Sequence, residues 1–239
     1  MKKILISTAA FGAMLASATT ASADDISISA SVDYVSEYVF RGVSFANTAV
    51  QPGVELSASG FTLGAWASAG LGETSAVADD EIDIYGGYGL NITDTISASA
   101  GFTIFHFPQS GSLFDFGGGS SFEINAGLAL DTILSPALTG YYDFNLDAFT
   151  LEGSVGHGFA IAENTSFDLG VTAGFVTGDS SYEWATGSAS VGYSFSDIAS
   201  AYVGANFSIN SEDNLDFDAA GNTTDDTLFW VGTGISTSF

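Results

Sequence analysis

The chain has 239 residues, with 28 Asp and Glu against three basic residues (Lys2, Lys3 and Arg41), and it contains no cysteine. That balance excludes binding to nucleic-acid phosphates, which needs a basic patch. The missing cysteine excludes a disulfide framework, a thiolate zinc site and a thiol nucleophile. In chain order, Lys2-Lys3, the apolar stretch Ile4 to Leu15 and the small-residue site Ala21-Ser22-Ala23 read as a secretory signal peptide over residues 1–23, cleaved on export. Residues 24–239 would then carry one basic residue, Arg41, and all 28 acids.

Beyond the leader no run of apolar residues exceeds four, far short of the roughly 20 that a membrane-crossing helix needs. Yet 46% of residues are apolar and the mean hydropathy is positive. An exported, apolar chain without an apolar run points to strands that are apolar on one face only.

The alternation is visible from the start. Ile26, Ile28, Ala30, Val32, Tyr34, Tyr38 and Phe40 share one parity, and Ser27, Ser29, Ser31, Asp33, Glu37 and Arg41 take the other. This spacing predicts one long first strand followed by a long loop, Gly42 to Thr48. Strands are then expected over Val50–Ala58 and Phe61–Ala69, joined by Ser59-Gly60, and over Ile82–Leu90 and Ile96–Ile104, joined by the Asn91–Asp94 turn. Phe122–Leu130, Leu138–Phe144, Phe149–Phe159, Phe167–Phe175, Ala185–Phe195, Ala201–Ile209 and Phe229–Phe239 complete a set of about twelve. Long and short connections largely alternate, as in a transmembrane antiparallel up-and-down β-barrel over residues 24–239. A secreted β-sandwich or β-helix predicts no such alternation.

Strand parity, set from the apolar residues alone, places nine of ten strand acids on the polar face; Glu183 is the exception. Charge facing lipid is costly, and charge in a wet lumen is not. Candidate lumen or selectivity residues are Asp33, Glu37, Arg41, Glu55, Asp83, Glu123, Asp143, Glu152 and Asp168. Trp66, Tyr85, Tyr141, Trp184 and Trp230 share their parity and would set the bore, while polar-parity glycines such as Gly64 and Gly174 would leave room. A wall lined by one sign of charge concentrates the opposite ion, so a channel of this kind would prefer cations. Arg41 reads either as a structural ion pair between strands or as a contact for a substrate anion.

Residues 33 to 44, Asp-Tyr-Val-Ser-Glu-Tyr-Val-Phe-Arg-Gly-Val-Ser, resemble the opening motif of the TorF-like porin family of bacterial outer-membrane proteins. Gln51-Pro52-Gly53-Val54, Gly64-Ala65-Trp66-Ala67-Ser68 and Asp83-Ile84-Tyr85-Gly86-Gly87-Tyr88 are similar to further strands of that family. The resemblance implies a Gram-negative outer-membrane barrel passing small polar solutes. Phe239, ending an amphipathic strand, resembles the signal read by the barrel-assembly machinery. Outer-membrane lipid and lipopolysaccharide, that machinery, and small polar solutes or cations are therefore the expected partners, with no nucleic acid and no cofactor.

Two weaker constellations remain. His106, Ser121 and Asp80 fall near one end of adjoining strands and would be the set for an acyl hydrolase, although no motif supports them and no enzyme is expected. A closed structural or adhesive barrel is the other reading. Glu212, Asp213, Asp216, Asp218, Asp225 and Asp226 make an acidic loop without calcium-loop spacing, so no metal site is expected.

Overall fold

The computed structural model describes residues 26–71, 80–178, 181–211 and 226–239. The expected leader and most of the acidic loop before the last strand lie outside them. Every described regular element is a strand. In chain order these are β1 (Ser27–Val35), β2 (Tyr38–Phe40), β3 (Val43–Ala46), β4 (Ala49–Ala58), β5 (Phe61–Gly70), β6 (Asp80–Asn91), β7 (Ile96–His106), β8 (Ser120–Leu130), β9 (Ala137–Asp143), β10 (Ala148–Ala162), β11 (Thr165–Thr177), β12 (Tyr182–Ser194), β13 (Ala199–Asn210) and β14 (Thr227–Ser238). Twelve of them close an antiparallel barrel in the order β1-β14-β13-β12-β11-β10-β9-β8-β7-β6-β5-β4, and β2 and β3 form a separate two-stranded sheet.

Closure follows from the backbone. A sheet edge leaves N–H and C=O groups unpaired, and a barrel removes the edges. Here β1 pairs with β14 from Ser29↔Ser238 to Val35↔Gly232. Ile28 and Phe239 extend the seam by exchanging two backbone hydrogen bonds of 3.0 and 2.8 Å. Both chain ends of the barrel therefore lie at the end that carries the short turns.

The period-2 pattern becomes two surfaces. Outward residues are apolar and exposed, among them Ile28, Val32, Leu56, Leu63, Val171, Val203, Phe229 and Ile235. Aromatic pairs flank this belt. Phe61–Tyr88 and Tyr193–Phe195 lie at the turn end, and Phe122–Phe144 and Phe149–Phe175 lie toward the loop end. An apolar band of this extent is far larger than a water-facing monomer exposes, and its aromatic borders match those of transmembrane barrels.

The first strand departs from expectation. It ends at Val35, not Arg41. The chain bends at Ser36-Glu37, where the Ser36 amide donates to the Val231 carbonyl at 2.9 Å and the Ser36 hydroxyl accepts from the Val231 amide at 3.0 Å. The segment expected to be the end of a strand and a loop is the β2–β3 hairpin, and it turns into the barrel. The wall closes behind it through the Val35↔Ala49 pair, both residues fully buried. The overlooked signal was apolar residues on both parities: Val35 and Val39 occupy the face assigned to Asp33 and Glu37. A strand between lipid and water cannot place valines on both sides so freely, whereas a hairpin surrounded by protein can. Pro52 sits in β4, exposed, where the β4–β5 ladder skips Gln51 and Pro52, consistent with its missing N–H.

The candidate lumen site

The hairpin is built around a two-residue turn. Phe40 pairs with Val43, and Arg41 and Gly42 between them have φ of 50° and 78°. Positive φ at both central positions matches the right-handed twist of the strands. Gly42 is required twice over: a Cβ there would lie 2.6 Å from the Trp184 Cβ in addition to the left-handed backbone. Arg41 holds a conformation that a side chain rarely adopts, and its contacts stabilise it there.

Those contacts cross the barrel. Arg41 Nη1 and Nη2 donate to Glu123 Oε2 and Oε1 at 2.7 and 3.0 Å, a two-pronged pair. Glu123 is on β8, five strands from β1 by one route and seven by the other in the twelve-strand ring. The guanidinium lies 4.6 Å from the Phe40 ring centre and 4.3 Å from that of Tyr141 on β9. The pair is buried, with side chains 10% and 4% exposed. Burial works against the guanidinium charge, but the charge and hydrogen bonds of Glu123, with Tyr141 and Glu152 beyond, hold it above the usual arginine range.

The rest of the hairpin is anchored to other walls. Tyr38 packs on Trp66 of β5 at 5.4 Å between ring centres, and Phe40 on Phe105 of β7 at 5.9 Å. Val39 is buried with Leu228 and Trp230 of β14. The Asn210 amide on β13 donates to the Gly42 carbonyl at 2.8 Å. Glu37 accepts from the Ser44 hydroxyl at 2.6 Å, so it braces the base of the hairpin rather than lying on a strand. Each fully buried side chain of this kind contributes on the order of 1.5–3 kcal/mol, so Tyr38, Val39 and Val43 together hold the hairpin firmly in the lumen.

Of the ten strand or strand-end acids, Asp33, Glu37, Glu55, Glu81, Asp83, Glu123, Asp143, Glu152 and Asp168 are buried or half-buried, and Glu183 is exposed, as the parity predicts. They do not form one ring. Glu81, Asp83, Glu123 and Glu152 surround the hairpin. Glu55 accepts from the Tyr85 hydroxyl at 3.1 Å, and Asp168 accepts from Ser166 at 2.7 Å toward the turn end. Asp143 holds the β9–β10 turn, accepting from the Asn145 and Leu146 amides at 2.8 and 2.9 Å and from Ser121.

The inward aromatics also sit differently from expectation. Tyr85 lies over Gly64, its cross-strand partner, and Trp184 lies over Gly174, likewise its partner; a Cβ at either glycine would fall within 2.5 Å of a ring atom. These glycines therefore seat rings flat against the wall instead of leaving open space. Trp230 is 1% exposed under the hairpin and Tyr141 lies against Arg41.

The hydrolase set is not assembled. His106 is buried, its Nδ1 2.9 Å from the Gly119 carbonyl and 3.0 Å from the Ser120 hydroxyl. The carbonyl can only accept, so that nitrogen carries the proton. Ser121 is bound to Asp143, and Asp80 accepts from Gln109 at 2.8 Å. His157 bonds the Ile133 carbonyl at 2.7 Å.

A closed twelve-strand antiparallel barrel, apolar outside and acidic inside, is an architecture shared with outer-membrane porins. Residues 17–231 match a family described as "Bacterial protein of unknown function (Gcw_chp)", and the chain belongs to that family. No curated protein sequence matches the chain. Among solved structures it is similar to the KdgM porin in complex with disordered oligogalacturonate, at 14% identity and TM-score 0.54 over 89% of this chain and 99% of that one. The NanC porin shows 12% identity and TM-score 0.56, over 88% and 98%. An outer membrane channel from Pseudomonas putida F1 shows 12% identity and TM-score 0.51, over 89% and 95%. At such identities the likeness is one of fold.

Proposed function

We propose that the chain is an outer-membrane porin that passes small polar solutes, prefers cations, and has its bore narrowed by the inward β2–β3 hairpin. The observation that carries this reading is the sorting of charge: inward carboxylates against an exposed apolar belt on a closed barrel. The apolar belt with aromatic borders supports placement in the outer membrane, with the short turns periplasmic and the long loops outside. The resemblance of Tyr38–Ser44 to the TorF-like opening motif supports the same assignment. Oligogalacturonate, named with the KdgM porin, is a polyanion. The single arginine of this chain is engaged by Glu123, so the lumen favours neutral or cationic solutes instead.

The test is single-channel conductance and reversal potential in a planar bilayer under a KCl gradient. Conductance steps with a potential favouring K⁺ support the proposal. A folded but silent barrel supports the second reading, a closed structural or adhesive barrel, which the hairpin contacts across the lumen favour.

A further inference from the structure

The wall beneath the first strand of the hairpin holds more acceptor oxygen than the described residues satisfy. Glu81 and Asp83, two positions apart on β6, both point inward and are 3% and 2% exposed. Their carboxyls lie close enough for a hydrogen bond between them. Ser68 of β5 pairs with Glu81, and Trp66 with Asp83. On the next strand Gln51, fully buried, donates through Nε2 to the Ser68 hydroxyl at 3.2 Å. Tyr38, stacked on Trp66, places its hydroxyl on Glu81.

Three buried oxygens of this wall have no hydrogen-bond partner among the described residues: Gln51 Oε1, Glu81 Oε2 and Asp83 Oδ1. Each such atom carries an uncompensated desolvation cost, largest for the carboxylates. The guanidinium that could neutralise them is committed to Glu123. Gln51 is the independent part of this pattern, because it is neutral and its amide carbonyl belongs to a different strand from the acids.

We propose that Gln51, Glu81 and Asp83, with the Ser68 and Tyr38 hydroxyls beside them, bind a hard divalent cation such as calcium. The donor set is all oxygen, and two carboxylates match the charge of the ion. No group of three or more His, Asp and Glu with metal-binding arrangement occurs among the described residues; this site relies on two acids, an amide and hydroxyls, with water completing the shell. Bound cation would tie β4, β5 and β6 to the hairpin through Tyr38. The inference rests on the hairpin being seated in the lumen and not on conduction, so a silent channel leaves its test intact.

The test is urea unfolding of the full barrel, purified in detergent and stripped with EDTA, on titration with CaCl₂ at constant ionic strength. The wild type should gain stability saturably, with half the effect in the range of about 0.1–1 mM seen for extracellular calcium modules. The Glu81→Gln, Asp83→Asn double variant should start more stable in EDTA, since two like buried charges are gone, and should lack that saturable gain. The acids near residues 211–226 are the same in both proteins, so their contribution cancels. Gln51→Leu, which keeps both carboxylates, should weaken the calcium response several-fold and serves if the double variant does not fold. An equal response in wild type and variants, or none in wild type up to about 10 mM, overturns the proposal. So does a wild type that is stabilised by acid and indifferent to calcium, which would mean a shared proton between the two carboxyls.

Discussion

Arg41 carries the only positive charge predicted to remain after leader removal, and the structure pairs it with Glu123 and sets it against the Phe40 and Tyr141 rings. Both readings open from the sequence placed it inward, and the fork on Glu123 favours the structural one. Removing one partner of a buried pair costs about 3–5 kcal/mol when the other stays buried. Here the hairpin can instead release into the lumen and rehydrate Glu123, which caps the loss. Arg41→Ala should therefore lower the urea midpoint and raise single-channel conductance together. Adding Glu123→Gln should recover part of the stability but not the low conductance. Arg41→Lys keeps the charge without the planar fork and should behave closer to Arg41→Ala than to wild type. Unchanged conductance in Arg41→Ala would show that the pair does not hold the hairpin in place.

At the scale of elements, the hairpin is separable from the wall. Among the described residues its two strands pair only with each other, and Val35↔Ala49 continues the β1–β4 ladder across its base. Replacing residues 38–46 with a short Gly-Ser turn should leave a folded barrel with the same strand content by circular dichroism and a several-fold larger conductance. Collapse of the barrel would show instead that the hairpin is a core on which the wall depends. The closing strand makes a second case. Phe239 is exposed and joins the seam through its backbone, so its ring is free for a partner. Phe239→Ala should refold in detergent like wild type yet reach the outer membrane in reduced amount, measured by fractionation. Equal amounts would remove the assembly role proposed for that ring.

Over the whole molecule, selectivity should come from summed charge rather than one ring of residues, because the inward acids are spread from Asp168 near the turns to Glu123 at the hairpin. A lumen of one sign, walled by a low dielectric, concentrates counter-ions. Protonation removes the charge of a carboxylate, so the reversal potential should move toward zero on acidification. A potential independent of pH would place the selectivity elsewhere.

The twelve wall strands, their facing and the burial of nine acids against one exposed Glu183 were legible in the residues, because a strand between lipid and water must alternate and each position reports its side. The turn at Ser59-Gly60 was legible for the same local reason. The hairpin was not: Tyr38, Phe40 and Arg41 continue the parity of β1, and only Val35 and Val39 break it. Nor could the pattern pair Arg41 with Glu123, seat Tyr85 on Gly64, or bring Gln51 to Glu81. Those contacts join residues on different strands at distances set by closure and shear of the ring. Alternation states which face a residue takes, and the tertiary structure alone decides what it meets there.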